Sequence, residues 1–598
     1  MNYLLIKGNL YKEYKIKSAK VAVVISLKEK KQKDKVKKGS HKKGSFKLSI
    51  PFLFMLTLVA FSVGFFGTVV YFQFPRININ KVLLPVSLSA VKEYKTYEIT
   101  FDDNIPSDLV TQIKASLNEM KLEDTPRFKY TRDSELRFDF STEAKSDSIF
   151  TSYLVPVGHL YWIRSDVKKS EISNLTVLTS KGNGSLVDDM LTKFLGAEVM
   201  VNEVDNIAEE LKGKDEKKYI GFISVNELNP QLQLLTLDSK YFLDGEMEGG
   251  IAYGISMSSG LPSNVMKAVS KNTQYLKSRE FAPDSVSKIN MTGVTAITRA
   301  LGGKVDASGD YGYPAKKIAD FLKDADLTHT SNEVSFVPGC ANAAGMRFCS
   351  KPEYIKALQD SGVDIVELTG NHNNDFGVKY SVSTIETYKK LGMDYFGGGL
   401  NDKDASKALV KEVKGSKVAF LGYNYYDTML GTGALAGPDR AGANSFSYDK
   451  MKKDIANAKQ SADVVIVDFQ FQECYSYPPN GGIYPICYKP LAYPDQKEVF
   501  RRAVEYGADI VVGAQAHQPQ TYEIYKDKII FYGLGNLFFD QIYWIGTRQG
   551  LVLSNYLYQG RVLQTRVSTT LYGNDMQPYV TTGEERELLL NLLKNARD

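Results

Sequence analysis

The eleven residues 367–377, ELTGNHNNDFG, gather one imidazole, two carboxylates and three amides. His372 among them is one of only five histidines in the 598-residue chain. Such a set suits general acid–base chemistry, polar ligand binding or, with further imidazoles, metal ligation. Taken alone, a histidine beside amides more often closes a loop than reacts. Three other segments share its plan: KDADLTHTSNE (323–333), SADVVIVDFQFQE (461–473) and YGADIVVGAQAH (506–517). Each passes from an Ala- or Gly-containing helix end through an Asp and a mainly apolar run to a polar cluster.

Those runs predict strands, three of them continuous enough to be buried on both faces in a parallel sheet with helices on each side. The run LTHT is more polar and is expected nearer an edge. Loops beyond the carboxyl ends of parallel strands form the binding crevice of an open α/β sheet. Four strand ends would then deliver Asn332, Glu333, Asn371, His372, Asp375, Glu473 and His517 to one side. Gly370 allows the sharp turn that Asn371 needs. Four ends finishing in acids, amides or His favour a shared site over four separate loop caps.

Two chemistries fit these residues. Glu333 and Glu473 facing each other, with His372 nearby, make a general acid and base for an amide bond or an amine acceptor. Water or an amine would be the nucleophile, because no Ser or Cys stands in an activated arrangement. The other chemistry is binding alone: Arg299 and His517 hold an anionic polymer and nothing is cleaved. Arg347 is a further contact of that kind, or an ordinary solvated arginine.

The blocks VDIVELTGNHNNDFG and ADIVVGAQAHQPQTYEIYKDKIIFYGLGNLFFDQ, in that order, resemble the CapA family of poly-γ-glutamate capsule-synthesis proteins. The resemblance covers roughly residues 287–575. It implies a CapA-like two-sheet α/β sandwich, a fold similar to calcineurin-like metallophosphoesterases, and a role in making, releasing or anchoring an envelope polymer. Gly293, Arg299, Asn332, Glu333, Asn371, His372, Glu473, His517, Gly535, Asn536 and Asp540 match the family's pattern. Val294 stands where the family has Asp, Phe469 where it has His, and Gln515 where it has the first His of Gly-x-His-x-His. A two-metal centre needs a bridging carboxylate and several imidazoles. Val and Phe offer no lone pair, so dinuclear phosphoesterase activity is not expected. Asn371, His372 and His517 leave room for one divalent ion or none. The resulting expectation is Glu333, His372 and Glu473 as catalytic groups, with Asn332, Arg299, Asn371, Asp375, His517 and Asn536 as ligand contacts.

The rest of the chain must present these groups. Residues 1–47 hold 15 Lys and 3 acids, whereas the remainder carries a net charge of −7, so nucleic-acid binding by the folded body is excluded. Residues 48–74 contain no charge over 27 positions, which predicts one transmembrane helix. The flanking lysines place 1–47 in the cytoplasm and 75–598 outside, a single-pass anchor in the cell membrane. Residues 75–285 alternate strand and helix as an α/β domain loosely similar to periplasmic solute-binding proteins. Residues 286–580 form the CapA-like domain, and 581–598 an amphipathic helix. Cys340 with Cys349 and Cys474 with Cys487 are close couples that suggest two local disulfides, the other pairings staying open. The Gly-, Ala- and Tyr-rich segment 423–445 reads as a mobile flap over the crevice or as an ordinary surface loop. No G-x-x-x-x-G-K-[ST] stretch occurs, so energy for polymer synthesis would come from other capsule-synthesis membrane proteins.

Overall fold

A computed structural model describes residues 3–6, 9–12, 95–120, 127–143, 148–471 and 496–597. The apolar run 48–74, Glu473, Cys474 and Cys487 lie outside the described residues. No helix among the described residues is long and apolar enough to cross a membrane. The chain divides into two units, Met1–Glu93 and Tyr94–Asp598. In the first, the described residues form one antiparallel pair, Tyr3–Ile6 with Asn9–Lys12.

The second unit is mixed α/β and carries three large sheets. Nine strands from Thr96–Phe101 to Ile251–Ser259 make the first of them, with parallel and antiparallel neighbours mixed. The strands of the other two large sheets are numbered from Ser287. Along the chain they are β1 (Ser287–Thr295), β2 (Leu327–Asn332), β3 (Ile365–Glu367) and β4 (Asp394–Phe396). Then come β5 (Leu409–Val413), β6 (Ser416–Asn424), β7 (Val464–Gln470), β8 (Ile510–Ala514), β9 (Tyr522–Tyr525) and β10 (Lys528–Phe531). The last four are β11 (Asn536–Phe538), β12 (Gln549–Tyr558), β13 (Arg561–Tyr572) and β14 (Pro578–Val580).

One sheet has the order β4-β3-β2-β1-β12-β13-β14, with β11 also on β1; β1 to β4 are parallel and β12 to β14 antiparallel. The other has the order β5-β6-β7-β8-β10-β9, parallel through its centre from β6 to β10. Strand alternation explains how they stack. Ile289, Met291, Leu327 and Ile365 of one sheet share a buried cluster with Val418, Phe420, Val464, Ile466, Ile510 and Val512 of the other. Their neighbours in sequence face outward: Val366 packs on Leu358, Ile385 and Tyr388 from the helices of its side. Val465, Val467 and Val511 pack likewise on Met451, Ile455 and Phe500. The product is a four-layer α/β/β/α sandwich. Each fully buried Leu, Ile or Phe contributes about 1.5–3 kcal/mol, which fixes the register of both sheets against a one-residue slip.

One element differs from its sequence expectation. The strand containing LTHT is central, not near an edge, and all six residues of β2 are buried. Its hydroxyls are satisfied by neighbours: Thr292 donates to Thr330 at 2.9 Å, and Thr295 and Thr330 share a bond of 2.8 Å. The segment 423–445 is pinned to the body. Asp427, buried, accepts from the backbone N–H groups of Gly433, Ala434 and Leu435 at 3.2, 2.8 and 3.2 Å. The Asn374 amide in turn donates to the carbonyls of Gly433, Ala434 and Ala441.

Candidate functional site

The carboxyl ends of β2, β3, β7 and β8 open onto one rim, and their polar residues meet there. Glu333, just past β2, is fully buried. Its Oε1 accepts from the Gln470 amide of β7 at 2.7 Å. The same amide nitrogen reaches Asn371 Oδ1 at 3.0 Å and Gln515 Oε1. Three oxygens from three other strand ends thus surround one NH2 group, whose two hydrogens serve only two of them.

His517 completes this cluster. Its Nδ1 bonds Asn536 Oδ1 at 2.9 Å, and the Asn536 amide donates to the carbonyls of His517 and Thr547 at 3.1 and 2.9 Å. With the Asn536 amide so oriented, Nδ1 carries a hydrogen, and in the neutral ring Nε2 keeps its lone pair. Nε2 faces Glu333 Oε2 across 4.0 Å, and Oε2 has no hydrogen-bond partner among the described residues. Two acceptors facing each other are satisfied when one is protonated or when a ligand N–H enters between them.

An aromatic layer joins this cluster to His372. The His517 ring stacks on Phe539 at 5.0 Å, Phe539 meets Phe348 edge-on at 6.0 Å, and Phe348 covers His372 at 4.0 Å. His372 Nδ1 lies 2.7 Å from Asp375 Oδ2, which also accepts from Phe348 N–H at 2.7 Å. Arg299 lies over both rings, 4.4 Å from Phe348 and 5.1 Å from Phe539, and pairs with Asp540 through its Nε at 3.1 Å. The disulfide Cys340–Cys349 closes the loop that supplies Phe348.

Backbone strain concentrates in the same place. Arg299, Gln515 and His517 have φ of +45°, +81° and +53°. Left-handed conformations in residues with a Cβ cost about 1–3 kcal/mol each and persist where the surroundings enforce them. Close backbone approach has a part too. A Cβ on Gly370 would sit 2.5 Å from Glu333 Cα, so the Asn371–His372 loop lies directly on the Glu333 backbone.

Comparison with known proteins now bears on this rim. Residues 288–541 match the family described as bacterial capsule synthesis protein PGA_cap. The capsule biosynthesis protein CapA of Bacillus anthracis is 34% identical over 212 residues, 35% of this chain and 47% of that protein. The PGA biosynthesis protein CapA of Bacillus subtilis (strain 168) is 29% identical over 206 residues, 34% of this chain and 50% of that one. Both comparisons support assigning residues 288–541 to the CapA family. The chain spans about half the length of these curated relatives. Among solved structures, an ABC-type phosphate transport receptor from Vibrio cholerae aligns over 31% of this chain and 95% of its own. Its TM-score of 0.24 and 7% identity establish no common fold.

Within the CapA domain the rim assembles Glu333, Asn371 and His517, reaches Asn536 through His517, and brings in His372, Asp375 and Arg299 through the Phe348–Phe539 layer. Asn332 is not among them. Its amide donates to the Val334 carbonyl at 2.7 Å and to the Tyr388 hydroxyl at 2.9 Å, on the helix side of the sheet. Arg347 is spent on the Asp375 carbonyl, with its Nε at 3.1 Å. Gln470 and Gln515 are site residues that sequence reasoning missed, Gln515 figuring there only as the place of a lost His. Phe469, aligned there with the family's His, points to the outer layer, 4.7 Å from Phe500 and 5.7 Å from Tyr423. Gln470 takes the inward position of that strand end. The signal was the alternation in DFQFQ, polar at 468, 470 and 472.

These residues do not fit the metal centre that the sequence resemblance implies. Among the described residues, no three His, Cys, Asp or Glu side chains converge closely enough to hold an ion. Glu333 and His517 are the two strong donors at the inner cluster; the groups around them are amides. His372 is turned to Asp375 and Asn371 to Gln470, so Asn371, His372 and His517 form no ligand set.

Proposed function

We propose that the CapA domain holds an envelope polymer of the poly-γ-glutamate kind at this rim, during its synthesis, release or anchoring. The observation that carries the reading is the convergence of Glu333, Asn371, Gln470, Gln515 and His517 from four strand ends. Amide side chains each present a donor and an acceptor, the complement of a polymer linked by amides. Because one NH2 cannot satisfy three oxygens, Glu333 or Asn371 is left to accept from a polymer N–H. Arg299 and the aromatic layer add a cationic, apolar wall for the carboxylates and methylenes of such a chain. The names of the relatives, which concern capsule and PGA biosynthesis, support the same substrate class.

The Glu333–His517 pair favours a second reading, in which an amide bond of the polymer is also cleaved or transferred. A carboxyl facing an imidazole lone pair at 4.0 Å is a general acid–base pair. The reading also places the domain outside the cell membrane, on a single span at 48–74 fed by other membrane proteins of capsule synthesis; the uncharged run and its lysine flank support this.

The test uses the full chain in detergent with purified poly-γ-glutamate, recording retention and chain length together. N371A and Q515A should each weaken retention at least about tenfold, the value of one or two hydrogen bonds to a buried group. E333Q should retain polymer yet abolish any shortening or transfer. Undiminished retention in N371A and Q515A would overturn the binding site. Shortening that persists in E333Q would remove the acid–base pair.

A further inference from the structure

Below the rim, the inward-facing positions of the same strands carry a second set of ionisable groups. On β2, Leu327, His329 and Ser331 precede Glu333 at every second residue; on β7, Ile466 and Asp468 precede Gln470; on β3, Ile365 precedes Glu367. Leu327, Ile365 and Ile466 belong to the apolar layer between the sheets, so His329, Asp468 and Glu367 stand between that layer and the rim. All three are buried, at 1%, 4% and 1% exposure. His329 Nε2 is 3.1 Å from Asp468 Oδ2, too poorly aligned for a hydrogen bond. Glu367 Oε2, Asp468 Oδ1 and His329 Nδ1 have no hydrogen-bond partner among the described residues. Nothing in the rim chemistry uses these groups.

Glu367 is tied to the rim by its other oxygen. Oε1 accepts from the N–H of Thr369 at 2.6 Å, at the start of the loop that bears Asn371 and His372. The Thr369 carbonyl accepts from Asn424 of the facing sheet at 2.6 Å. Next in the chain is Gly370, which packs on Glu333. One carboxyl therefore anchors the loop to β3 at the place where both sheets and Glu333 meet.

We propose that Glu367 is a positioning residue that sets the Asn371–His372 loop according to its own protonation, with Asp468 and His329 as the ionisable groups buried with it. Protonated, Glu367 lies beside Asp468 with no repulsion and the loop is held on Glu333. When the proton leaves to the buffer, a second carboxylate is confined next to Asp468 between the sheets, and relief comes by loosening the loop. Burial and the Asp468 charge push the Glu367 carboxyl up to about 7, against the opposing pull of Ser331, Thr369 and His329. An acid raised in the folded state binds its proton more tightly folded than unfolded. Its contribution is therefore fully present below the ordinary value of 4.5 and is lost as pH rises through about 7. A move from 4.5 to about 7 is a loss of about 300-fold in the folding equilibrium.

Hydrogen exchange of the 368–376 segment, measured on the full chain from pH 5 to 9 and corrected for intrinsic rates, tests this. In the native protein, protection should fall as pH rises towards about 7 and level off above it. In E367Q, which keeps the shape and cannot ionise, it should stay level. D468N should move the midpoint down by about one pH unit, and it decides the matter should E367Q not fold. A level profile in the native protein, an unchanged profile in E367Q or an unmoved midpoint in D468N would each overturn the proposal. The readout is local and needs no polymer, so it can fail while the rim still binds polymer, and the reverse.

Discussion

At the scale of single residues, Arg299 shows how one side chain ties the rim together. Its guanidinium covers Phe348 and Phe539 and meets Asp540, whose side chain is 6% exposed. The Asp540 carboxylate also accepts from Ala300 N–H at 3.0 Å, so it fixes the strained turn in which Arg299 sits at φ +45°. Removing the cation leaves a buried carboxylate with little else to neutralise it. R299A should therefore lose about 3 kcal/mol, the low end for breaking a buried pair because Arg299 keeps some solvent contact. R299K should recover part of the charge and little of the ring contact, since an ammonium lacks the planar fork. Urea unfolding of both variants checks this, and losses under about 1 kcal/mol would put the pair in the class of surface salt bridges. The residue type was legible in the sequence as a cation for a ligand. Its use was not, because Asp540 lies 241 residues away and no local pattern joins them.

At the scale of elements, the rim is a set of loops held in place by strand ends, and their stiffness differs. The loop after β2 is closed by Cys340–Cys349, nine residues apart, and delivers Phe348 to the His372 ring. Closing a loop of this length removes about 2–3 kcal/mol of unfolded-state entropy. C340S/C349S should lose that amount in urea unfolding and should also free the Phe348 contact, seen as faster exchange at Phe348 N–H. Equal stability with and without the bridge would mean the loop is held by its other bonds. The four strands and their common edge could be read from apolar runs ending in polar clusters. What could not be read was facing. A strand buried on both sides shows no contrast of exposure, so only the alternation Asp468, Phe469, Gln470 separates the inward side from the outward one. The polarity of LTHT misled for a related reason. Hydroxyls that pair across two buried strands cost little, and sequence cannot show the partner strand.

At the scale of the whole molecule, the sandwich that carries the rim is wider than the stretch that the family describes. That stretch ends at 541, whereas β12, the antiparallel neighbour of β1, begins at Gln549. Beyond it, Tyr556, Tyr558 and Leu563 of β12 and β13 lie in one buried cluster with Val155, Val157, Phe242 and Phe281. Leu160 likewise packs with Leu589, Leu590 and Leu593 of the helix Gly583–Arg597. Arg561 crosses as well, donating to the Leu228 carbonyl at 2.8 Å. Residues far apart in sequence thus share cores, and loss of one part exposes apolar surface of the other. Residues 288–541 expressed alone should not fold, because β1 would lose its pairing with β12 along most of one flank, keeping only β11 at Val294 and Thr295. The sheets from Thr96 to Val580 should instead melt together in the full chain. Calorimetry is the measurement: one transition from these sheets, with no cooperative transition from the 288–541 fragment. A fragment that unfolds cooperatively near the temperature of the full chain would show that the rim and its sandwich stand without the preceding sheet, and the shared clusters would then be contacts of convenience.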